Sequence, residues 1–387
     1  HAAGVVITRD PVYTYVPLAR NDESVVCQYT MVTLEELGLL KMDFLGLRNL
    51  TVIKNAIEGK LSLQDINYDD PNVYEMISAG KTEGVFQLES EGMKNFMKEL
   101  KPRNLEEIIA GISLYRPGPM DFIPKYIAGK NDRHNIVYDC PQLEPILKNT
   151  YGCIVYQEQV MQIVRDLAGY SYGQSDNVRR AMSKKKAKEM ERNRNIFIYG
   201  DESENIEGCI KRGIPEETAS KIYADMTDFA KYAFNKSHAA AYAVVSYQTA
   251  YLKYYYPKEF MAALLTSVMD NTGKITEYTM SCRQMGIQIL PPDINEGEPG
   301  FSVSGKSIRY GLTAIKGVGH PVADAVIAER KQRGVFKNLQ DFLSRMSDTE
   351  VNKRNVENFI KAGAFDSLEG TRKQFMSVFV QLMDQNQ

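Results

Sequence analysis

Apolar and polar positions alternate at short range over the first fifty residues and then change to helical spacing. GVVIT, VYTYVPL and VVCQYTMV are short, β-branched or aromatic, and divided by polar or proline-containing breaks, which predicts a small sheet up to about Leu50. From about Thr51 to Gly286 apolar residues recur three and four positions apart, as in Val155, Met161, Val164 and Leu167, with Gln159 expected to face out. Helix starts are expected at Asp70 with Pro71, at Ser175 and Asp176 ahead of VRRAM, and at Pro215 with Glu216. Proline suits a first helical turn, and acids suit the positive end of the helix dipole. The fold class is therefore α+β and mainly helical, a small β-rich section followed by a large helical body.

QILPPDINEGEPGF (Gln288 to Phe301) interrupts the helical pattern, because paired prolines and two glycines cannot continue a helix, and it reads as a linker. After it, FSVSGKSIRYG predicts a hairpin turning at Ser304-Gly305, and GLTAIKGVGHPVADAVIAERKQRG opens a compact helical module. No period of twenty to fifty residues marks a solenoid.

With 47 basic against 49 acidic residues the net charge is −2, which excludes a uniformly basic nucleic-acid coat. The five cysteines are scattered without metal-ligand spacing, as expected of buried thiols in a reducing compartment rather than a disulfide framework. No apolar run is long enough to span a membrane. The chain opens on His1 and runs at once into a strand pattern, as a piece of a longer chain would.

Five stretches carry candidate chemistry. In KMDFLGLRNLTVI, Lys41 and Asp43 share one face of a strand by the period of two, and such a pair can hold a divalent metal and a phosphate. The plainer reading is a solvated surface pair. In LYRPGPMDF, the Arg-Pro-Gly-Pro turn restricts Arg116, either as a contact residue or as an ordinary structural turn. Between Asp176 and Arg194 eight basic residues face three acids. Arg179 and Arg180, following an expected helix cap, suit a triphosphate, while Lys184, Lys185 and Lys186 suit a nucleic-acid backbone; the alternative is a solvated helix face.

FNKSH places Asn235, Lys236, Ser237 and His238 at the mouth of AAAYAVVSYQTAYL, a helix apolar nearly all round and so expected to be buried, which suggests a ligand pocket. A capping histidine is the simpler role for His238. Finally, Lys316-Gly317-Val318-Gly319 ahead of Pro321 has the form of a helix–hairpin–helix, whose turn lets backbone N–H groups meet a phosphate without reading a base. LQDFLSRM and VNKRNVENFIKAGAFDSL resemble a second copy without the glycines, expected to be a plain helical pair packed under the first.

In this order KMDFLGLRNLTVI, GVFQLESEGMKNF, LYRPGP, YGCIVYQEQVMQIVRDLAGYSYGQSDNVRRAMSKKK, FNKSHAAAYAVVSYQTAYLK, QILPPDIN and GLTAIKGVG resemble the alpha subunits of bacterial DNA polymerase III, the C-family replicative polymerases. KMDFLGLR is similar to the more widespread subtype rather than to the one with a built-in exonuclease. The resemblance implies that residues 1–52 are the end of a nucleotidyltransferase-like palm and 53–290 the fingers. It makes 291–387 a linker hairpin and tandem helix–hairpin–helix at the start of the clamp-binding region.

It further implies template-directed DNA synthesis with two Mg²⁺ ions. Asp43 is then one of three metal-binding aspartates, beside Lys41, and Arg179 and Arg180 lie on the triphosphate of an incoming dNTP. Asn235, Lys236, Ser237 and His238 line the nucleotide pocket, with Arg116 as a further candidate. Lys184, Lys185, Lys186 and Lys316 to Gly319 (Lys316, Gly317, Val318, Gly319) contact primer–template DNA. Sliding clamp and clamp-loader subunits are the implied partners, in the bacterial cytoplasm at the replisome, with no membrane.

No D-x-D occurs in the 387 residues, whereas the family carries its other two aspartates in such a motif. One aspartate does not hold two magnesium ions, so this stretch by itself is expected to be inactive. The alternative is a non-catalytic nucleic-acid-binding protein using the lysine run and the helix–hairpin–helix.

Overall fold

The computed structural model describes residues 4–183, 187–230 and 232–385 and divides into two units, His1–Thr51 and Val52–Gln387. In the first unit β1 (Gly4–Ile7) pairs antiparallel with β4 (Leu40–Asp43), and β2 (Leu18–Asn21) with β3 (Ser24–Cys27), as two separate two-stranded sheets. The expected strands are thus shorter than the sequence pattern suggested. Pro11 precedes a 3₁₀ turn at Val12–Thr14, so VYTYVPL is extended only from Leu18. Thr30 ends the third stretch by capping α1 (Met31–Glu36), its side chain accepting from Thr33 N. Opposite the face of Lys41 and Asp43, Val5, Ile7, Leu40 and Met42 remain exposed.

The second unit is built from helices. Two of them start as expected: Asp70 caps α3 (Pro71–Ser78), with proline in the first turn, and acids open α11 (Glu216–Ala230). Around α12 (Lys236–Tyr255), α3, α4 (Glu91–Leu100) and α5 (Leu105–Leu114) form one core through Val73, Ile77, Met97, Ile108 and Leu114 against Ala239, Ala243 and Tyr247. Helix α6 (Ile123–Asn131) closes this core with Tyr126.

A second core joins α7 (Glu144–Leu147), α8 (Gln157–Ala168), α9 (Tyr172–Ser183), α10 (Ala187–Tyr199) and α11. A third collects α2 (Arg48–Ile57, through Val52, Ile53 and Ala56), α13 (Pro257–Ser267) and α14 (Thr272–Gln284). Against it packs a small sheet in which β5 (Ile289–Leu290) runs parallel to β7 (Ser307–Arg309), and β6 (Ser302–Ser304) pairs antiparallel with β7 across a Gly305-Lys306 turn. The Pro/Gly-rich stretch is packed rather than loose: Ile294 is fully buried and its N–H donates to Ala364 O. The fourth core unites α15 (His320–Arg333), α16 (Leu339–Arg345), α17 (Lys353–Ala362) and α18 (Arg372–Gln385).

Two buried lysines brace the helix joints. Lys130 Nζ donates to Leu100 O and Lys101 O at the end of α4 and lies 3.2 Å from Glu107. Lys253 Nζ donates to Lys81 O, Glu83 O and the Glu83 carboxylate. All five cysteines are free thiols, four of them buried, and burial pushes Cys153 and Cys282 up to about 11. Among the described residues no helix is long and apolar enough to cross a membrane.

Candidate nucleotide and nucleic-acid interface

The candidate cations of the second unit meet where Phe234 pairs with the start of α8. Phe234 N donates to Val155 O and Gln157 N to Phe234 O, a short parallel bridge between two segments some eighty residues apart. Gln159 fixes the other side of this bridge. Its side-chain oxygen accepts from Val155 N (2.8 Å) and Tyr156 N (3.0 Å), while its amide donates to Ile146 O and Thr150 Oγ1. Gln159 is therefore buried, against the expectation that it faces out, because four polar atoms of the segment from α7 to α8 have it as their partner.

The candidate cations collect around this bridge. Arg116 stacks 4.3 Å over the Phe234 ring, with Nε donating to Ser113 O (3.0 Å) and Nη2 to Tyr232 O (2.6 Å). Arg179 Nη1 reaches Gln157 Oε1 at 3.3 Å. Lys236 N donates to both oxygens of Glu158 at 3.1 Å, and its ammonium pairs with Glu106 at 3.0 Å, 5.3 Å from the Tyr156 ring centre. Asn235 caps α12, accepting from His238 N at 2.8 Å, so the cap is the asparagine and not the histidine. The exposed His238 ring packs at a tilt against Tyr242 at 4.4 Å and Phe234 at 5.5 Å. Ser237 is exposed beside it.

Arg179 and Arg180 do not follow a helix cap. Helix α9 begins at Tyr172, one turn earlier than expected, because Ser171 caps it in reciprocal bonds with Gln174. Asp176 is consequently inside the helix, where its carboxylate binds Arg179 and Arg180, each at 2.7 Å. The Arg179 hydrogen bond, opposed by desolvation and aided by the two guanidinium charges, holds Asp176 below the usual carboxylate range. Free N–H groups at a helix start are thus not available beside these arginines. Lys184, Lys185 and Lys186 lie outside the described residues. Farther along the basic run, Arg192 pairs with Glu204, and Arg194 donates to Ser220.

Sequence reasoning missed Glu106, Gln157 and Glu158. Their signal was faint: acids in the first turns of α5 and α8 are ordinary helix-start residues until the chain folds them against Lys236. The site is a set of cations held in place by carbonyls, an aromatic ring and carboxylates. An anion entering it exchanges one acceptor for another and finds the donors already aimed.

In the first unit Lys41 Nζ donates to both oxygens of Asp43, at 2.7 and 2.8 Å. The shared face is as the strand period requires. Among the described residues no cluster of three or more His, Cys, Asp or Glu side chains is placed to hold a metal. A single carboxylate neutralised by lysine does not by itself fit Mg²⁺, which needs near-octahedral oxygen ligation.

In the terminal module Gly317 has φ +81°, a conformation that favours glycine, and Val318 is buried while Lys316, Gly317 and Gly319 are exposed. Gly319 caps α15, and a 3₁₀ turn at Leu312–Ala314 stands where the first helix of the hairpin was expected. Asn355 of α17 donates to Gly317 O at 2.8 Å and fixes the turn.

The fold is that of a mainly helical α+β protein whose last helices follow a glycine turn. The family models agree: residues 1–46 match the bacterial DNA polymerase III alpha NTPase domain, 47–205 the finger domain of the same subunit, and 286–375 a helix–hairpin–helix motif. The chain is 47% identical to the DNA polymerase III subunit alpha of Thermus aquaticus over 97% of its length, covering 31% of that protein. It is 45% identical to that of Aquifex aeolicus and 44% to that of Bacillus subtilis, each over 97% of this chain and 33% and 34% of theirs. The chain belongs to the bacterial DNA polymerase III alpha-subunit family, and it spans about a third of the length of the curated relatives it matches.

Proposed function

We propose that this chain is the part of a replicative DNA polymerase that receives the incoming dNTP and grips primer–template DNA during 5′-to-3′ synthesis. The observation that carries the reading is the convergence of Arg116, Arg179, Lys236 and His238 on the Phe234 bridge within residues 53–290. Arg179 and Arg180 neutralise the triphosphate, and Lys236 and the exposed Asn235, Ser237 and His238 line the pocket for the nucleotide. Arg116 acts by holding Phe234 and with it the start of α12. The segment at Lys316–Gly319 and the lysines at 184–186 bind the duplex backbone without base preference.

Asp43 and Lys41 serve the catalytic centre of the longer subunit, where two Mg²⁺ ions are expected. The ligands in this chain do not complete that centre, so these 387 residues alone do not extend a primer. Sliding clamp and clamp-loader subunits are the partners of the longer protein, at the replisome in the cytoplasm.

Arg179→Ala tests the reading. In the full-length subunit it should raise the KM for dNTP at least tenfold, the effect of about 1.4 kcal/mol of lost charge-assisted bonding. An unchanged KM refutes the nucleotide role. Primer extension by the 387-residue chain that depends on Asp43 refutes its inactivity alone. The pairing of Asp43 with Lys41 favours one other reading, a non-catalytic nucleic-acid-binding protein. In that case duplex binding is indifferent to added dNTP and to Arg179→Ala.

A further inference from the structure

The connection between α16 and α17 has no glycine, and the left-handed Gly363 that follows α17, missed by the sequence reading, is covered by the ion-paired Arg372 and Asp366. Helix α17 nevertheless meets the first hairpin at the point where a phosphate would lie. Asn355 stitches α17 to the turn through Gly317 O and also closes the capping box with Asn352, so the helix start cannot swing away. Arg354 and Asn358, four apart and so on one face of α17, flank that contact. A Cβ added at Gly317 would lie 2.8 Å from Asn358 Nδ2 and 3.8 Å from Arg354 Nε.

These donors are unspent. The module's other five arginines, Arg309, Arg330, Arg333, Arg345 and Arg372, are all ion-paired. Arg354 is the exception among the described residues, and Asn358 and Lys316 likewise have no side-chain partner there. Gly317 and Gly319 N–H groups also have no backbone acceptor among the described residues. An exposed guanidinium, an amide and an ammonium thus surround an exposed turn with free N–H groups, and no carboxylate is bonded to any of them.

We propose that α17 completes the phosphate site of the first hairpin, with Arg354 and Asn358 donating to the same duplex-DNA backbone phosphate that the Lys316–Gly319 turn holds. This rests on the reading of the module as a backbone grip. One bidentate guanidinium and one amide add to the N–H groups of the Lys316–Gly319 turn, whereas the turn at Gly363 is covered by Arg372 and Asp366.

Fluorescence anisotropy of a labelled DNA duplex against the 387-residue chain over a salt series tests it, with thermal unfolding of every variant in parallel. Arg354→Ala should weaken binding about tenfold at fixed salt and lower the slope of log Kd on log salt by about one. Asn358→Ala, which changes no charge, should weaken it about fivefold with the slope kept. Lys331→Ala, at the far end of α15, should match the parent because screening limits a remote charge. If Arg354→Ala and Asn358→Ala behave like Lys331→Ala while Lys316→Ala weakens binding, α17 is only packing and the inference falls with the first hairpin left standing. If Lys316→Ala also has no effect, or the parent does not bind at low salt, the backbone-grip reading itself falls and takes the inference with it.

Discussion

The Arg116 guanidinium lies over the ring of Phe234, 4.3 Å from its centre, and Phe234 immediately precedes the cap of α12. Two backbone carbonyls from different segments complete its shell, and burial pulls its pKa down from the ordinary arginine value. Lysine at this position keeps the charge but loses the stacking plane and one of the two bonds. Arg116→Lys should destabilise the fold by about 1–2 kcal/mol. A shift in the urea midpoint reads it, and an unchanged midpoint shows that the stacking contributes nothing.

Gln159 should be among the least replaceable polar residues. Gln159→Leu fits the space but strands the N–H groups of Val155 and Tyr156 at once, while the Thr150 hydroxyl keeps its bond to Cys153 O. With about 1–3 kcal/mol for a buried group left unsatisfied, a loss of about 3 kcal/mol is expected in equilibrium denaturation. A variant as stable as the parent would mean that water takes over both N–H bonds.

Acid should unfold the joint between α12 and the loop after α3 through Glu83. Burial alone would raise its pKa, but its bonds to Lys94 (2.9 Å) and Lys253 (3.1 Å) bring it down to about 2. Burial lowers Lys253 as well, yet three oxygens within 3.1 Å of Nζ favour the charged pair, and we take the ionic form as the folded one. A folded pKa below the unfolded 4.5 stabilises fully above that value, and the contribution disappears as pH falls toward about 2. Glu83→Gln should therefore cost about 3 kcal/mol at neutral pH, with parent and variant converging in strong acid. Denaturant titrations at neutral and acid pH decide it, since a gap that does not close assigns the loss to packing.

Gly317→Ala is expected to lose duplex binding before it loses much stability. The positive φ costs about 1 kcal/mol, and the new methyl displaces Asn358 from above the turn. Anisotropy and thermal unfolding on the same sample separate the two effects; a variant that binds like the parent removes the turn from the DNA interface.

Most of the helical body was legible because it rests on local rules. Asp70 with Pro71, the glycine at the turn before Pro321 and the alternation of Lys41 with Asp43 all act within a few residues, and each appears where its spacing put it. The failures are of another kind. Ser171 and Asp176 are both good helix caps, and only the reciprocal bond to Gln174 selects the first. Gln159 reads as a surface residue until the loop ahead of α8 folds back over it. The cation site depends on Phe234 meeting Gln157 across 77 residues, a distance over which no periodicity carries information. FNKSH and Arg116 were visible as unusual residues, whereas the carboxylates that position Lys236 looked like routine helix-start acids.

Lys130 and Lys253 each gather the carbonyls of a chain turn around a single ammonium, the task that a bound calcium or potassium ion performs in many loops. Here the cation is attached by its own side chain. It cannot be diluted away, exchanged for sodium or stripped by a chelator, so these two joints are indifferent to the ionic composition around them. The two joints keep their interior cations covalent, and no ion from solution has to be captured for either to close.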